Sequence, residues 1–138
     1  MNWTLEVVQI PVTDLDRAKA FYAEQVGFHL DFDLRVGGGV RLIQLTPPGS
    51  GCSVQIGPGR GPMTPGSLSG LQLVVRDLRA AHAELVARGV DVSEIQVFGS
   101  GGQRRPATED DDLNNAGFIF FRDPDGNSWA VQQITGRA

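Results

Sequence analysis

The chain has 138 residues, 41% hydrophobic and 20% charged, with a net charge of −4 at pH 7. This is ordinary composition for a single globular domain, and a chain near this length buries roughly 70% of its unfolded surface, enough for a core without staples. The lone Cys52 excludes an internal disulfide and a structural zinc cluster, the lack of a basic patch argues against nucleic acid, and no apolar run approaches the ~18 residues of a membrane span. Met1–Glu6 has neither the basic start nor the apolar core of a signal peptide, so a cytoplasmic location is expected.

Leu5 to Val12 is apolar and rich in β-branched residues, which predicts a strand. Asp14 is a good helix N-cap, Leu15, Ala18, Tyr22 and Val26 follow at helical spacing with Phe21 beside them, and Gly27 supplies a left-handed stop. Phe28 to Arg35 alternates strictly. Phe28, Leu30, Phe32 and Leu34 are assigned to one face of a strand, and His29, Asp31, Asp33 and Arg35 to the other. Gly37-Gly38-Gly39 is a turn, Val40 to Thr46 a strand, Pro47 to Gly51 a turn, and Cys52 to Ile56 a short strand.

Gly57 to Gly66 carries glycine and proline with few apolar side chains and reads as a linker. Leu68 to Val75 is a strand, and Asp77 caps a second helix with apolar Leu78, Ala81 and Leu85, stopped at Gly89. Val90 to Val97 is predicted as a strand. A structureless segment as long as Gly99 to Gly117 is unusual inside a compact domain, so it is expected partly to form a strand and partly to cover a cleft. Phe118 to Phe121 is a strand, Asp123-Pro124-Asp125-Gly126 a tight turn, and Ser128 to Ile134 the closing strand.

One pattern therefore occurs twice. Val12-Thr13-Asp14-Leu15-Asp16-Arg17-Ala18 returns in outline as Val75-Arg76-Asp77-Leu78-Arg79-Ala80-Ala81, 63 residues on, and each copy reads β-α-β-β-β. A half-length repeat predicts two copies of one supersecondary unit packed together around a shared cleft.

Paired units with Asp-Leu opening each helix, Ala20-Phe21-Tyr22 closing the turn, Gly27-Phe28 after it, and Asp-Pro-Asp-Gly before the last strand resemble the vicinal-oxygen-chelate superfamily. This family holds glyoxalase I, extradiol dioxygenases and the fosfomycin- and bleomycin-resistance proteins, and the resemblance spans roughly residues 5 to 134. It implies an α+β fold in which two βαβββ modules form a concave mixed β-sheet cup with helices on the outside. It also implies a single glyoxalase-like domain over 1–138, with modules at 3–57 and 68–135 and a linker at 58–67, and pairing as a homodimer.

In the family's metal-dependent members the ligands, usually His and Glu, project from the first and last strands of each unit. The resemblance places those positions at Val7, at or near Gln55, at Gly70 and at Ala130. None is an imidazole, carboxylate or thiolate, whereas a catalytic zinc or non-haem iron site needs about three such ligands. No metal and no other cofactor is therefore expected. Without a metal there is no Lewis acid to polarise a carbonyl or activate water.

Residues two apart on a strand share a face. If Val7, Gly70 and Ala130 face the cup, so do Gln9, Gln72 and Gln132, while Val8/Ile10/Val12, Leu71/Leu73/Val75 and Trp129/Val131 form the apolar face. Val7, Gln9, Gln55, Gly70, Gln72, Ala130 and Gln132 are thus the candidate ligand-binding residues. The neutral amides both donate and accept, which suits a small organic molecule; alternatively they satisfy one another around water.

His29 and Asp31 are candidates for an acid–base pair at the rim, against a solvated edge-strand face. His82 reads as a half-buried packing residue, and Arg104 and Arg105 either as a clamp for an anion or as a solvated loop. Glu109 to Asp112 reads as a solubilising run, and Gly57 to Gly61 lacks the context of a phosphate cradle. Trp3 and Trp129 read as core or interface residues. Two functions remain open: a metal-free binding protein for a small organic molecule, or a metal-free isomerase or lyase. A divalent-metal-dependent lyase or dioxygenase is the third reading.

Overall fold

A computed structural model describes residues 1–57 and 63–136; residues 58–62, the first half of the expected linker and most of the glycine-rich run, lie outside them. The chain forms two compact units, one of Met1–Leu68 with Asp123–Asn127, the other of Ser69–Arg122 with the chain from Ser128 on. The first follows the predicted β-α-β-β-β plan, the second adds one short strand to it, and the class is α+β.

In the first unit, β1 (Val7–Pro11) leads to α1 (Leu15–Ala20), which widens into a π-helical turn over Phe21–Val26. Then come β2 (His29–Val36), β3 (Val40–Thr46) and β4 (Ser53–Gly57), in spatial order β1-β4-β3-β2 with β1 parallel to β4. Asp14 caps α1 by accepting from the Arg17 amide at 3.1 Å. Gly27 ends the helix at φ 91°, and its amide reaches five residues back to the Tyr22 carbonyl at 3.0 Å. The apolar spacing expected of an ordinary helix also suits this wider turn, so periodicity does not separate the two.

One face of this sheet is apolar and buried: Ile10, Ile43 and Leu45 are fully buried, and Val54 and Ile56 nearly so, together with Ala18, Phe21, Tyr22 and Phe28. The strict alternation expected of β2 is broken by a bulge between Leu30 and Phe32. Leu30 pairs with Leu45 but Phe32 with Gln44, so Leu30 joins the buried face while Phe32 and Leu34 turn to the other one. The two aspartates part as well. Asp33 lies opposite Ile43 and binds Lys19 of α1 (2.8 Å) and Arg41 (2.9 and 2.8 Å), whereas Asp31 binds Gln44 and Thr46.

In the second unit, β5 (Leu71–Val75) leads to α2 (Leu78–Ala87), then β6 (Gln96–Phe98), β7 (Arg104–Pro106), β8 (Gly117–Arg122) and β9 (Ser128–Gln133), in the order β5-β9-β8-β6-β7. Asp77 caps α2 through the Ala80 amide at 3.0 Å, and Gln133 accepts from the Leu78 amide at 3.0 Å. The strand expected over Val90 to Val97 is confined to Gln96–Phe98. Upstream, the Ser93 hydroxyl takes the Phe120 amide at 3.0 Å, replacing a ladder bond with a side-chain bond. Part of the long polar segment is β7, which pairs with β6.

The turn before β9 is tied into the first unit. Asp123, 5% exposed, accepts from Tyr22 Oη (2.7 Å), Asn127 Nδ2 (2.8 Å) and the amides of Asp125, Gly126 and Asn127 (3.0, 3.0 and 2.9 Å). Asn127, fully buried, donates to the Pro11 carbonyl at 2.9 Å and accepts from the Leu68 amide at 3.0 Å. Asp125 accepts from Thr13 Oγ1 at 2.7 Å. Gly66 sits at φ 84° against this turn, where a Cβ would lie 2.1 Å from the Asp125 carbonyl oxygen.

Replacing Asp123 by Ala strands the Tyr22 hydroxyl, the Asn127 amide and three backbone donors. It should cost about 3 kcal/mol and lower the melting temperature on the order of 10 °C, as read by calorimetry. Gly66→Ala should destabilise comparably, through both the clash and the left-handed backbone; a melting temperature within a degree of wild type would contradict the close approach.

Arg41 first, then Lys19, holds the Asp33 carboxyl well below its ordinary 3.8. The unfolded chain therefore binds this proton more readily than the folded one. The stabilisation is complete above about pH 4 and is lost as pH falls through the lower folded value. Asp33→Asn should reduce stability at pH 7 and flatten its decline below pH 4 in denaturant titrations.

Candidate functional site

Each sheet has one apolar face and one carrying amides. On the first, β1 and β4 run in register with Gln9 beside Gln55, and Gln44 of β3 lies opposite Gln55. Gln9 Nε2 donates to Gln55 Oε1 at 2.6 Å, Gln55 Nε2 to Gln44 Oε1 at 3.0 Å, and Gln44 Nε2 to Asp31 Oδ2 at 3.1 Å. Thr46 Oγ1 also donates to Asp31 and lies 2.7 Å from Ser53 Oγ. The Thr46 hydroxyl, followed by the Gln44 amide and the nearby His29, holds the Asp31 carboxyl below its ordinary value against partial desolvation.

On the second sheet, Gln72 pairs with Ala130, and Gln132 lies two residues along the same face of β9. Gln72 Nε2 donates to Gln132 Oε1 at 2.6 Å, and Gln132 Nε2 to the Asn115 carbonyl at 2.9 Å. Phe118 pairs with Gln132 and Phe120 with Ala130, so both rings share the amide face. They lie parallel within 7°, centroids 6.2 Å apart. Phe98 meets Phe118 edge-on at 5.1 Å, and the Arg104 guanidinium stands 5.2 Å from the centre of Phe120. These are flat, half-exposed surfaces with a cation above one of them.

The sequence reading missed this aromatic row. The signal was present, because the parity that puts Ala130 and Gln132 on one face of β9 selects Phe118 and Phe120 of β8 once the two strands are paired. Arg104 and Arg105 were grouped as neighbours, yet they do different things. Arg105 is committed to Asp111 through two bonds of 2.9 and 2.7 Å, while Arg104 faces the Phe120 ring.

Of the predicted ligand-binding residues, the first unit brings Gln9 and Gln55 into contact and sets Val7 beside Ser53. The second brings Gln72, Ala130 and Gln132 together. Gly70 precedes β5, at φ 89°. That left-handed backbone is strained for a histidine or any other side chain. His29 Nε2 is 3.8 Å from Asp31 Oδ1, but the imidazole is 75% exposed. His82 is half-buried on α2, Trp129 stacks parallel to Phe121 in the core, and Trp3 is exposed.

The donors at the family's metal positions do not fit a divalent cation. An alkyl group, an amide, a left-handed glycine and a methyl occupy Val7, Gln55, Gly70 and Ala130. Among the described residues, no three His, Cys, Asp or Glu side chains are grouped to hold a metal ion. No helix of the described residues is long and apolar enough to cross a membrane.

No curated protein matches this chain. Among solved structures, TnmS3, an antibiotic binding protein from Streptomyces sp. CB03234, is 32% identical with a TM-score of 0.74, over 96% of this chain and 97% of that one. A glyoxalase/bleomycin resistance protein from Streptomyces sp. CB03234 is 32% identical, with a TM-score of 0.72 over 94% of this chain and 100% of that one. A superfamily member from Sphaerobacter thermophilus DSM 20745 is 28% identical, with a TM-score of 0.70 over 96% and 98%. The sequence profile of one family spans residues 4–131, nearly the whole chain and both units, so this chain belongs to the Glyoxalase/Bleomycin resistance protein/Dioxygenase superfamily.

Proposed function

We propose that this is a metal-independent, cytoplasmic small-molecule-binding protein that holds a neutral organic ligand with a flat aromatic part against a glutamine-lined sheet face. The observation that carries this reading is the chemistry of the amide faces. At the positions where the family's metal-dependent members carry ligands stand one amide, Gln55, and three residues with no side-chain donor, Val7, Gly70 and Ala130, while Gln9 bonds to Gln55 and Gln72 to Gln132 on the same faces. Amides donate and accept without charge, and Phe118 and Phe120 offer a ring surface on the same face as Gln72 and Gln132. The likeness to an antibiotic binding protein over nearly the full length of both chains supports the same class of ligand.

An acid–base enzyme built on His29 and Asp31 is the second reading. The hydrogen bonds from Thr46 and Gln44 weigh against it, because they stabilise the Asp31 carboxylate and make it a weaker base. We also propose a homodimer. Leu34, Val36 and Val40 expose 51%, 45% and 48% of their surface along the β2–β3 hairpin, and β2 is an edge strand.

Calorimetric titration with a panel of planar aromatic antibiotics, before and after exhaustive chelation, tests the main proposal. Binding should survive chelation unchanged. Gln9→Leu with Gln72→Leu should weaken it by about tenfold or more, the worth of one to two hydrogen bonds. Affinity that disappears on chelation, or that ignores both substitutions, would refute the reading. Light scattering should give twice the chain mass.

A further inference from the structure

The amides of the first unit form a row with a direction. We propose that Asp31 sets that direction, so that Gln9 meets the ligand with its carbonyl oxygen and this face selects ligands bearing a hydrogen-bond donor, such as a phenolic hydroxyl. The inference rests on the ligand-binding reading above and names the polarity of the group recognised.

A glutamine amide presents oxygen or nitrogen with nearly the same shape, so its neighbours decide which way it points. An ionised carboxylate only accepts. Gln44 must therefore turn its Nε2 to Asp31, as it does at 3.1 Å. That leaves Gln44 Oε1 to accept from Gln55 Nε2 at 3.0 Å, and Gln55 Oε1 to accept from Gln9 Nε2 at 2.6 Å. Gln9 Oε1 ends the row, the one amide oxygen in it not already taken by a neighbour. Each amide keeps a second N–H along the row, but the unspent oxygen occurs at a single place. Donation along a chain of hydrogen bonds strengthens the acceptor at its end, by roughly 10–30% per bond.

The bulge in β2 makes this possible. It places Asp31 in reach of Gln44 and Thr46 while Asp33 turns to Lys19 and Arg41. The second unit reaches the same sense by independent means. There the end group is the Asn115 carbonyl, also acceptor-only, which takes Gln132 Nε2 at 2.9 Å, and Gln132 Oε1 takes Gln72 Nε2 at 2.6 Å. Gln72 stands 63 residues after Gln9, its counterpart in the repeat.

The test uses the protein labelled with 15N, with phenol and anisole as probes, the second having a methyl group where the first has its donor hydrogen. In Asp31→Asn, the side-chain amide signals of Gln9 and Gln55 should shift although neither residue touches Asp31. Wild type should prefer phenol over anisole by about tenfold, from shift titrations of Gln9. The preference should fall to within about twofold in Asp31→Asn, whose amide allows the row to reverse, and in Gln44→Leu, which cuts the row but leaves the Asp31 carboxylate its bond from Thr46. Unmoved Gln9 and Gln55 signals, or an unchanged preference in both variants, would overturn the proposal. If neither probe perturbs the amide faces, the ligand-binding reading fails, and the signals in the two variants still decide whether Asp31 directs the row.

Discussion

A single buried carboxylate governs where the last strand begins. Asp123 gathers the Tyr22 hydroxyl, the Asn127 amide and three consecutive backbone N–H groups, and its own amide donates to the Asn127 carbonyl at 2.9 Å. Burying such a charge is tolerable only when hydrogen bonds replace its water, and here nearly every lone pair has a donor. The segment Asp123–Asn127 thereby packs with the first unit although it joins β8 to β9 in the chain. Since β9 starts at Ser128, this turn also sets its parity against β8. A slip of one residue would bury Ala130 and Gln132 and expose Trp129 and Val131.

Both sheets obey one division. The face that meets a helix is aliphatic and aromatic, and the opposite face carries amides joined to one another. In the first unit a bulge sharpens the division by sending two nearby aspartates to opposite sides. Asp33 ties α1 to the β2–β3 hairpin through Lys19 and Arg41, and Asp31 anchors the amide row. A regular strand would have put both on one side, leaving either the helix without its ion pairs or the amides without an anchor.

The functional reading follows from the kind of polar group chosen. Carboxylates and imidazoles at the family's metal positions would bind a cation and supply charge to a reaction. Amides supply shape and hydrogen bonds without charge, which is the basis of the proposed binding of a neutral molecule. The parallel rings of Phe118 and Phe120, with Arg104 above one of them, add a flat surface on the amide face of the second sheet.

From the sequence alone came the repeat, the β-α-β-β-β plan of the first unit and its outline in the second, both aspartate helix caps, the turn at Asp123–Gly126 and the parity that puts glutamines opposite the core. These depend on neighbours a few residues apart, and period and capping chemistry report such neighbours directly. The bulge at Asp31, the π-helical turn after Ala20, the short β6 and the direction of the amide row came only with the fold. The bulge, β6 and the row depend on partners far along the chain, Gln44 for Asp31 and Phe120 for Ser93, and the wider turn keeps the apolar spacing of an ordinary helix. A strand's own residues state which side chains alternate, but only the strand beside it decides where the alternation breaks and which atom of each amide is left to meet a ligand.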